Sequence, residues 1–359
     1  MKVAISSKYI DEPFGGGNLF IKNLTTFLTN NGHTVTHSLK NKSIDIILII
    51  NPLLSSQTSA FSVFEAVYYK TFINKTTKLV HRVNECDERK NTKNVNSFLI
   101  SINKYMDSTI YVSTWLKELF LNLGANRNNA EVILSGADES VFYSKSSQKT
   151  SSKVKLVTHH WSSHENKGYQ QYKLIDELLD DKKWSEKFSF AFIGNINKNY
   201  NFKNIQTFPP LNELDLAKKL NTFDGYVTAS INEPSGNHHI EAALSGLPIL
   251  YIDSGGIPEY CDGYGLEFSK ENFIEKLDEF LLNINSYKYK ISSYPHNSSK
   301  MNNEYLTLFN KLLLRNDDND FKNNKKKQLL LLFLIYRHKI QKFLKTILNN
   351  FQYHLGISK

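Results

Sequence analysis

Short apolar runs alternate with amphipathic stretches along the chain. Residues 2–7 (KVAISS) form the first run, and a glycine turn, FGGGN at 14–18, separates it from residues 19–33 (LFIKNLTTFLTNNGH). There Leu19, Phe20, Leu24, Phe27 and Leu28 recur at helical spacing, with Gly32 placed as a C-terminal cap. Residues 44–50 (IDIILII) form an apolar run, as expected of a strand buried on both faces of a parallel sheet. Residues 77–83 (TKLVHRV) and 107–113 (DSTIYVS) read as two more strands, and 114–124 (TWLKELFLNLG) as a capped helix. Such alternation predicts a doubly wound α/β domain.

The polar, serine-rich stretch 143–153 (YSKSSQKTSSK) is the best linker in the chain, and the pattern restarts after it. Strands are predicted at 153–160, 188–195, 224–230 and 248–253, with helices at 169–179, 213–221 and from about 235 to Gly246. Two similar Rossmann-like halves facing a cleft follow, with domains at 1–147 and 148–300. No short internal repeat is present.

Length fits this reading, since 359 residues suit two domains better than one core. Hydrophobic content of 40% and aromatic content of 13% mark a globular chain. Cys86 and Cys261 are too few and too far apart for a disulfide framework or a zinc site, so two reduced thiols are expected. The opening residues lack the apolar core of a secretory leader, and no stretch reaches the ~18 apolar residues of a membrane span. A cytoplasmic protein is expected. The net charge of +9 is concentrated late, in KNNKKK at 322–327 and in Lys339, Lys342 and Lys345. No nucleic-acid motif accompanies it, so nucleic acid is not an expected partner.

The chemistry concentrates in residues 233–250, EPSGNHHIEAALSGLPIL. Glu233 follows the predicted strand 224–230, at the carboxyl end where open α/β sheets bind ligands. Asn237 or Ser235 is placed to cap the next helix, with Glu241 near its first turn. Backbone N–H groups from Gly236 through Asn237 and His238 to His239 would then be free for a phosphate. A carboxylate also suits a vicinal diol, each charged hydrogen bond contributing roughly 1.5–3 kcal/mol. One acid for a ribose, one for a sugar ring and a helix start for a diphosphate together describe a nucleotide-sugar site. The plainer account is two acids favouring the helix dipole, at ~0.3–1 kcal/mol each.

The E-x(7)-E spacing of Glu233 and Glu241, with AALSGLPIL after it, resembles the signature of retaining GT-B glycosyltransferases of the large family 4 group. DSGGIPEYCDGYG at 253–265 is similar to that family's Gly-Gly-x-Pro-Glu loop, and ILSGADESVF at 133–142 to its segment before the inter-domain linker. FGGGN resembles its N-terminal glycine loop, and ENKG at 165–168 its Lys-Gly pair. The resemblance implies a GT-B fold and metal-independent hexose transfer from a nucleoside diphosphate sugar (UDP, GDP or ADP type) to a glycan or glycolipid acceptor. It implies that Glu233 supports the reacting sugar, Glu241 binds the ribose, and Lys167 with the helix start at Gly236, Asn237 and His238 neutralises the diphosphate. Gly15, Gly16 and Gly17 would let the opposite domain approach, and His81 would bind the reacting sugar. No Asp-x-Asp metal motif stands at a convincing strand end, and no cofactor is implied. Family members often carry an arginine about five residues before the lysine, where Ser162 stands here. The implied setting is surface-polysaccharide synthesis at the inner face of a bacterial membrane.

Residues 80–90 (VHRVNECDERK) form a dense polar loop at a strand's carboxyl end, suited to face an acceptor or simply to pair its own ions. His159, His160, His164, His238 and His239 are unsuited to a metal, since adjacent histidines on a strand point to opposite faces. Trp161 reads as core or as cleft wall. A helix over 301–315 is implied by the resemblance to cross back onto the first domain. In 322–359, Leu329, Phe333, Tyr336, Ile340, Leu344 and Ile347 make an apolar stripe opposed by lysines, suited to an anionic membrane surface or to packing on protein. Two rivals remain. A nucleotide-dependent oxidoreductase lacks the full G-x-G-x-x-G spacing, and a catalytically silent glycosyltransferase-like subunit would bind only a partner or membrane.

Overall fold

Each apolar run becomes a parallel strand. The computed structural model describes residues 1–11, 15–54, 57–144 and 153–315, together with Phe333, Tyr336, Arg337, Ile340 and Leu344. In the first half, β1 (Lys2–Ile5), β2 (Thr34–Thr36), β3 (Ile46–Ile49), β4 (Lys78–Val83), β5 (Ser108–Tyr111) and β6 (Ala130–Val132) form a six-stranded sheet ordered β2-β1-β3-β4-β5-β6. In the second, β7 (Val154–His160), β8 (Phe188–Gly194), β9 (Gln206–Phe208), β10 (Gly225–Thr228), β11 (Ile249–Ile252) and β12 (Gly265–Phe268) form another, ordered β12-β11-β10-β7-β8-β9. All ladders are parallel. Helices cover both faces of each, so β3, β10 and β11 are buried along their whole length.

The strand orders locate the clefts. In the second sheet the chain winds outward from β7 in one direction to β9 and in the other from β10 to β12, so the switch lies between β7 and β10. In the first sheet it lies between β1 and β3. Ligands of such sheets bind beyond the carboxyl ends of the strands at these points.

Within the glycine turn expected at 14–18, the described residues from Gly15 onward are instead helical. The first helix begins at Gly15 and runs to Asn30, placing Gly16 and Gly17 in its first turn. Its start abuts the other domain: a Cβ on Gly16 would lie 2.7 Å from Asn237 Cγ. A larger residue at 16 would have to push the Asn237 side chain aside.

The last described helix, Ser298–Leu313, starts on an Asn297 cap and packs Met301, Tyr305, Phe309 and Leu312 against Phe20, Leu24 and Leu28 of the first helix. The rings of Phe20 and Tyr305 stand 5.2 Å apart. Ala137 and Phe142, which precede the expected linker, pack in the second domain's core. Across the gap, Ser135 N–H donates to the Tyr260 hydroxyl at 2.8 Å, and Tyr260 donates to the Val112 carbonyl. Thr114 gives both its N–H and its hydroxyl to Glu259, each at 2.6 Å. Most of the expected linker and nearly all of 322–359 lie outside the described residues; the five described tail residues are exposed. No described helix is long and apolar enough to cross a membrane. Both cysteines are buried and free.

Because Phe309 of the closing helix is fully buried against the first helix and the first sheet, Phe309→Ala is expected to cost about 3–5 kcal/mol. Urea unfolding followed by circular dichroism checks this.

Candidate functional site

The switch point of the second sheet opens into a cavity of about 650 Å³. His159 and His160 line it from the end of β7, and Glu233 from the loop after β10. Gly16, Gly17, Arg82 and Arg89 reach it from the first domain. The site is therefore built between domains.

Glu233 is its centre, 4% exposed. One carboxylate oxygen accepts from Lys167 Nζ, and the other lies 3.1 Å from Arg89 Nε. The Arg89 contact is an ion pair by distance, with the N–H not aligned for a hydrogen bond. Burial pushes the Glu233 carboxyl up, but the Arg89 and Lys167 charges outweigh it and hold the group well below the usual carboxylate range. Burial, only partly offset by Glu233, lowers Lys167. Glu233 raises Arg89.

Local chain geometry holds each member. Gly168 follows Lys167 at φ +89°, and a Cβ there would stand 2.4 Å from Ala229, so the turn 165–168 packs directly on the end of β10. Behind Glu233, the Gly256 N–H donates to the Glu233 carbonyl at 2.8 Å. Gly255, at φ +67°, comes close enough that a Cβ would lie 2.6 Å from that same oxygen. Arg89 belongs to a helical turn, Asp87–Lys90, whose Glu88 and Arg89 carbonyls accept from Asn166 Nδ2 at 3.3 and 3.0 Å. Asn232 Nδ2 also donates to Glu88 O, at 3.3 Å. The polar loop after β4 is thus clasped by the second domain, while Glu85 pairs with Arg89 and Lys90 within the loop.

The helix after Glu233 runs Asn237–Leu244, with Gly236 at its N-cap in a positive-φ conformation (φ +78°) and no side-chain cap. This corrects the expectation of an Asn237 or Ser235 cap: only glycine takes that backbone conformation easily. Glu241 consequently stands in the second turn, not the first. Ser235, Gly236, Asn237 and His238 line the cavity beside the uncapped start. Glu241 is buried and accepts from His159 Nε2 at 2.9 Å.

The other histidines are structural in their contacts. His160 Nε2 lies 2.8 Å from the Tyr172 hydroxyl, and His238 Nε2 lies 2.9 Å from Thr228 Oγ1. His239 is fully buried with neither ring nitrogen hydrogen-bonded among the described residues. Burial pushes His160 and His238 well below the ordinary histidine value and His239 down to about 3. They add no cation at neutral pH. Ser162 lines the cavity without a charge, and Arg89 brings one from the other domain. Trp161 is half-exposed on the cavity wall rather than in the core.

His81 lies elsewhere. It is buried on β4, with Nδ1 2.6 Å from Asn103 Oδ1, and burial pushes it down to about 4. It lines a second cavity of about 640 Å³ at the first sheet's switch point, shared with Ser7, Ile50 and Asn51. The two cavities adjoin at Gly16, Gly17, Arg82 and Asn84. Arg82, Asn84 and Arg89 carried no assigned role in the sequence. The density of polar residues after β4 was their only signal.

No protein-family model matches the sequence, and no curated protein does. Solved structures do. Anabaena HepE, crystallised with UDP and glucose, aligns with TM-score 0.64 at 14% identity over 87% of this chain and 100% of its own. A Rickettsia africae glycosyltransferase aligns with TM-score 0.62 at 15% identity, over 88% of this chain and 99% of its own. TarM aligns with TM-score 0.58 at 14% identity over 81% of this chain, which spans 58% of TarM's length.

Below pH 6.5 the unfolded chain protonates its histidines while buried His81 and His239 resist until about 4 and about 3. Stability held above that pH is therefore lost as pH falls, by up to about 1.4 kcal/mol per unit per histidine. Urea midpoints should drop between pH 7 and pH 5, and His239→Leu should flatten the slope. The sheets, their switch points and these neighbours agree on one architecture: the fold is GT-B.

Proposed function

We propose that the chain is a metal-independent, retaining glycosyltransferase of the family 4 type, moving a hexose from a UDP-sugar to a glycan or lipid-linked glycan. The observation that carries this reading is the buried Glu233, held by one cation from each domain beside an uncapped helix start. HepE's complexes with UDP and UDP-glucose make UDP the first donor to test.

In this reading the diphosphate lies against the Asn237 helix start, whose N–H groups favour an anion. Lys167 and Arg89 offset the negative charge that the leaving group gains, the largest electrostatic demand of the step. Glu233 faces the transferred sugar, where its ionised carboxylate stabilises developing positive charge at the reacting carbon. Glu241, oriented by His159, accepts the ribose hydroxyls. The acceptor enters through the second cavity, with His81 on its wall, and Gly16 and Gly17 permit backbone approach where the cavities meet. The basic stripe of 322–359 would hold the enzyme on an anionic membrane, at the cytoplasmic face, for surface-polysaccharide assembly.

Calorimetric titration with UDP tests the site. Lys167→Ala and Arg89→Ala should each weaken binding roughly tenfold to a hundredfold, the worth of a charged hydrogen bond. Glu233→Gln should bind UDP more tightly, because both cations are released to the phosphate, while turnover falls by roughly 10²–10³. UDP binding with no turnover on any acceptor would point to the catalytically silent subunit. Removal of 322–359 should abolish sedimentation with phosphatidylglycerol vesicles; equal sedimentation would end the membrane assignment.

A further inference from the structure

Arg82 is a buried charge without a counter-ion. It stands on β4 next to His81 and is 4% exposed. Nη2 donates to Ser135 Oγ at 3.3 Å, the guanidinium carbon lies 4.3 Å over the Phe20 ring, the Tyr305 hydroxyl is a further polar neighbour, and Nη1 is buried with no partner in hydrogen-bond geometry. Among the described residues no carboxylate pairs with it, whereas the buried lysines Lys70 and Lys167 face Asp107 and Glu233. An arginine cannot shed its proton, and burying its charge unpaired is unfavourable. Such a residue is expected where a ligand brings the missing anion.

Its position says which ligand. Arg82 lines both cavities at their junction. Lys167 and Arg89 line only the first, beside the Asn237 helix. The second cavity is positive in its own right. Among the described residues Lys93 lines it with no acid partner, and the one acid lining it, Glu85, is already taken by Arg89 at 3.2 Å and Lys90 at 2.8 Å. His81, hydrogen-bonded to Asn103 and buried, adds no charge at neutral pH.

We propose that Arg82 recognises an anionic oxygen group, a phosphate or a carboxylate, carried by the acceptor in the second cavity. The inference rests on the donor reading above and adds the acceptor's chemistry: a negatively charged molecule, with its anion seated where the cavities meet.

Calorimetric titration of inorganic phosphate into the UDP-saturated protein separates the possibilities, because UDP already fills the donor's phosphate position. Wild type should bind phosphate, Arg82→Gln at least about tenfold more weakly, and Arg82→Lys in between, with UDP affinity unchanged within about threefold. Phosphate binding unaffected by Arg82→Gln, or absent in wild type that still binds UDP, overturns the proposal. A tenfold loss of UDP affinity in Arg82→Gln assigns Arg82 to the donor and overturns it equally. Failure of wild type to bind UDP at all is a separate signature, striking the donor reading and this inference with it. Melting of Arg82→Met supplies a readout independent of binding. Loss of an uncompensated buried charge should leave Tm equal or higher; a drop of several degrees would make Arg82 a structural cation and end the proposal.

Discussion

The buried carboxylate of Glu233 is the constraint around which the rest is arranged. Its two oxygens face Lys167, from its own domain, and Arg89, from the other. Removing one partner of a buried pair leaves a charge uncompensated, at a cost of about 3–5 kcal/mol. Charge balance at one side chain is thereby coupled to the approach of two domains. The clasp of Asn166 and Asn232 on the Glu88 and Arg89 carbonyls fixes the backbone that carries Arg89. The glycines at 168, 255 and 256 let three loops crowd behind the acid.

Topology explains why the cavities lie where they do. A parallel sheet that winds outward in both directions leaves a gap beyond its central strands, and each half of this chain does so once. The second sheet's gap holds the acids and cations, and the first sheet's gap holds His81. The first helix, with Gly16 and Gly17 in its first turn, lies where the two gaps meet. Ser135 continues the contact: its hydroxyl lies 3.3 Å from both Arg82 Nη2 and Ser235 Oγ. That string joins the second cavity's charge to the residue before the Gly236 cap, so a ligand on Arg82 and one at the Asn237 helix touch a common chain of hydrogen bonds.

The central strands were legible in the sequence because burial on both faces leaves an apolar run, as in Ile46–Ile49 and Ile249–Ile252. The short strands Thr34–Thr36, Ala130–Val132 and Gln206–Phe208 were not, since three partly exposed residues at or near a sheet edge carry no apolar signal. Glu233 and Glu241 were marked by their spacing beyond a strand end and Lys167 by the resemblance of its Lys-Gly pair, and all three line the first cavity. Arg89 escaped because its partner lies across the domain gap, and no local pattern records a contact made only after folding. The Gly236 cap escaped for the opposite reason: Ser235 and Asn237 on either side are better capping residues by type, and backbone conformation decided against them.

The histidines complete the electrostatic logic. On the proposed reading the cavity takes a diphosphate and needs polar walls, yet each added carboxylate would repel that ligand. Imidazoles held neutral by burial, such as His160 on Tyr172 and His238 on Thr228, supply polar surface without charge at either strand end. Lys167 and Arg89 both face Glu233, and the uncapped Asn237 helix adds the partial positive charge of its dipole. On the proposed reading the donor phosphate is drawn by local groups, not by a large field, since four cations (Lys22, Arg82, Arg89, Lys167) face four acids (Asp11, Glu213, Glu233, Glu241) around the cavity. On that reading modest attraction has a kinetic merit, because the departing diphosphate would be more negative than the arriving donor. A site with further cations would hold that product, and turnover would then wait on its release.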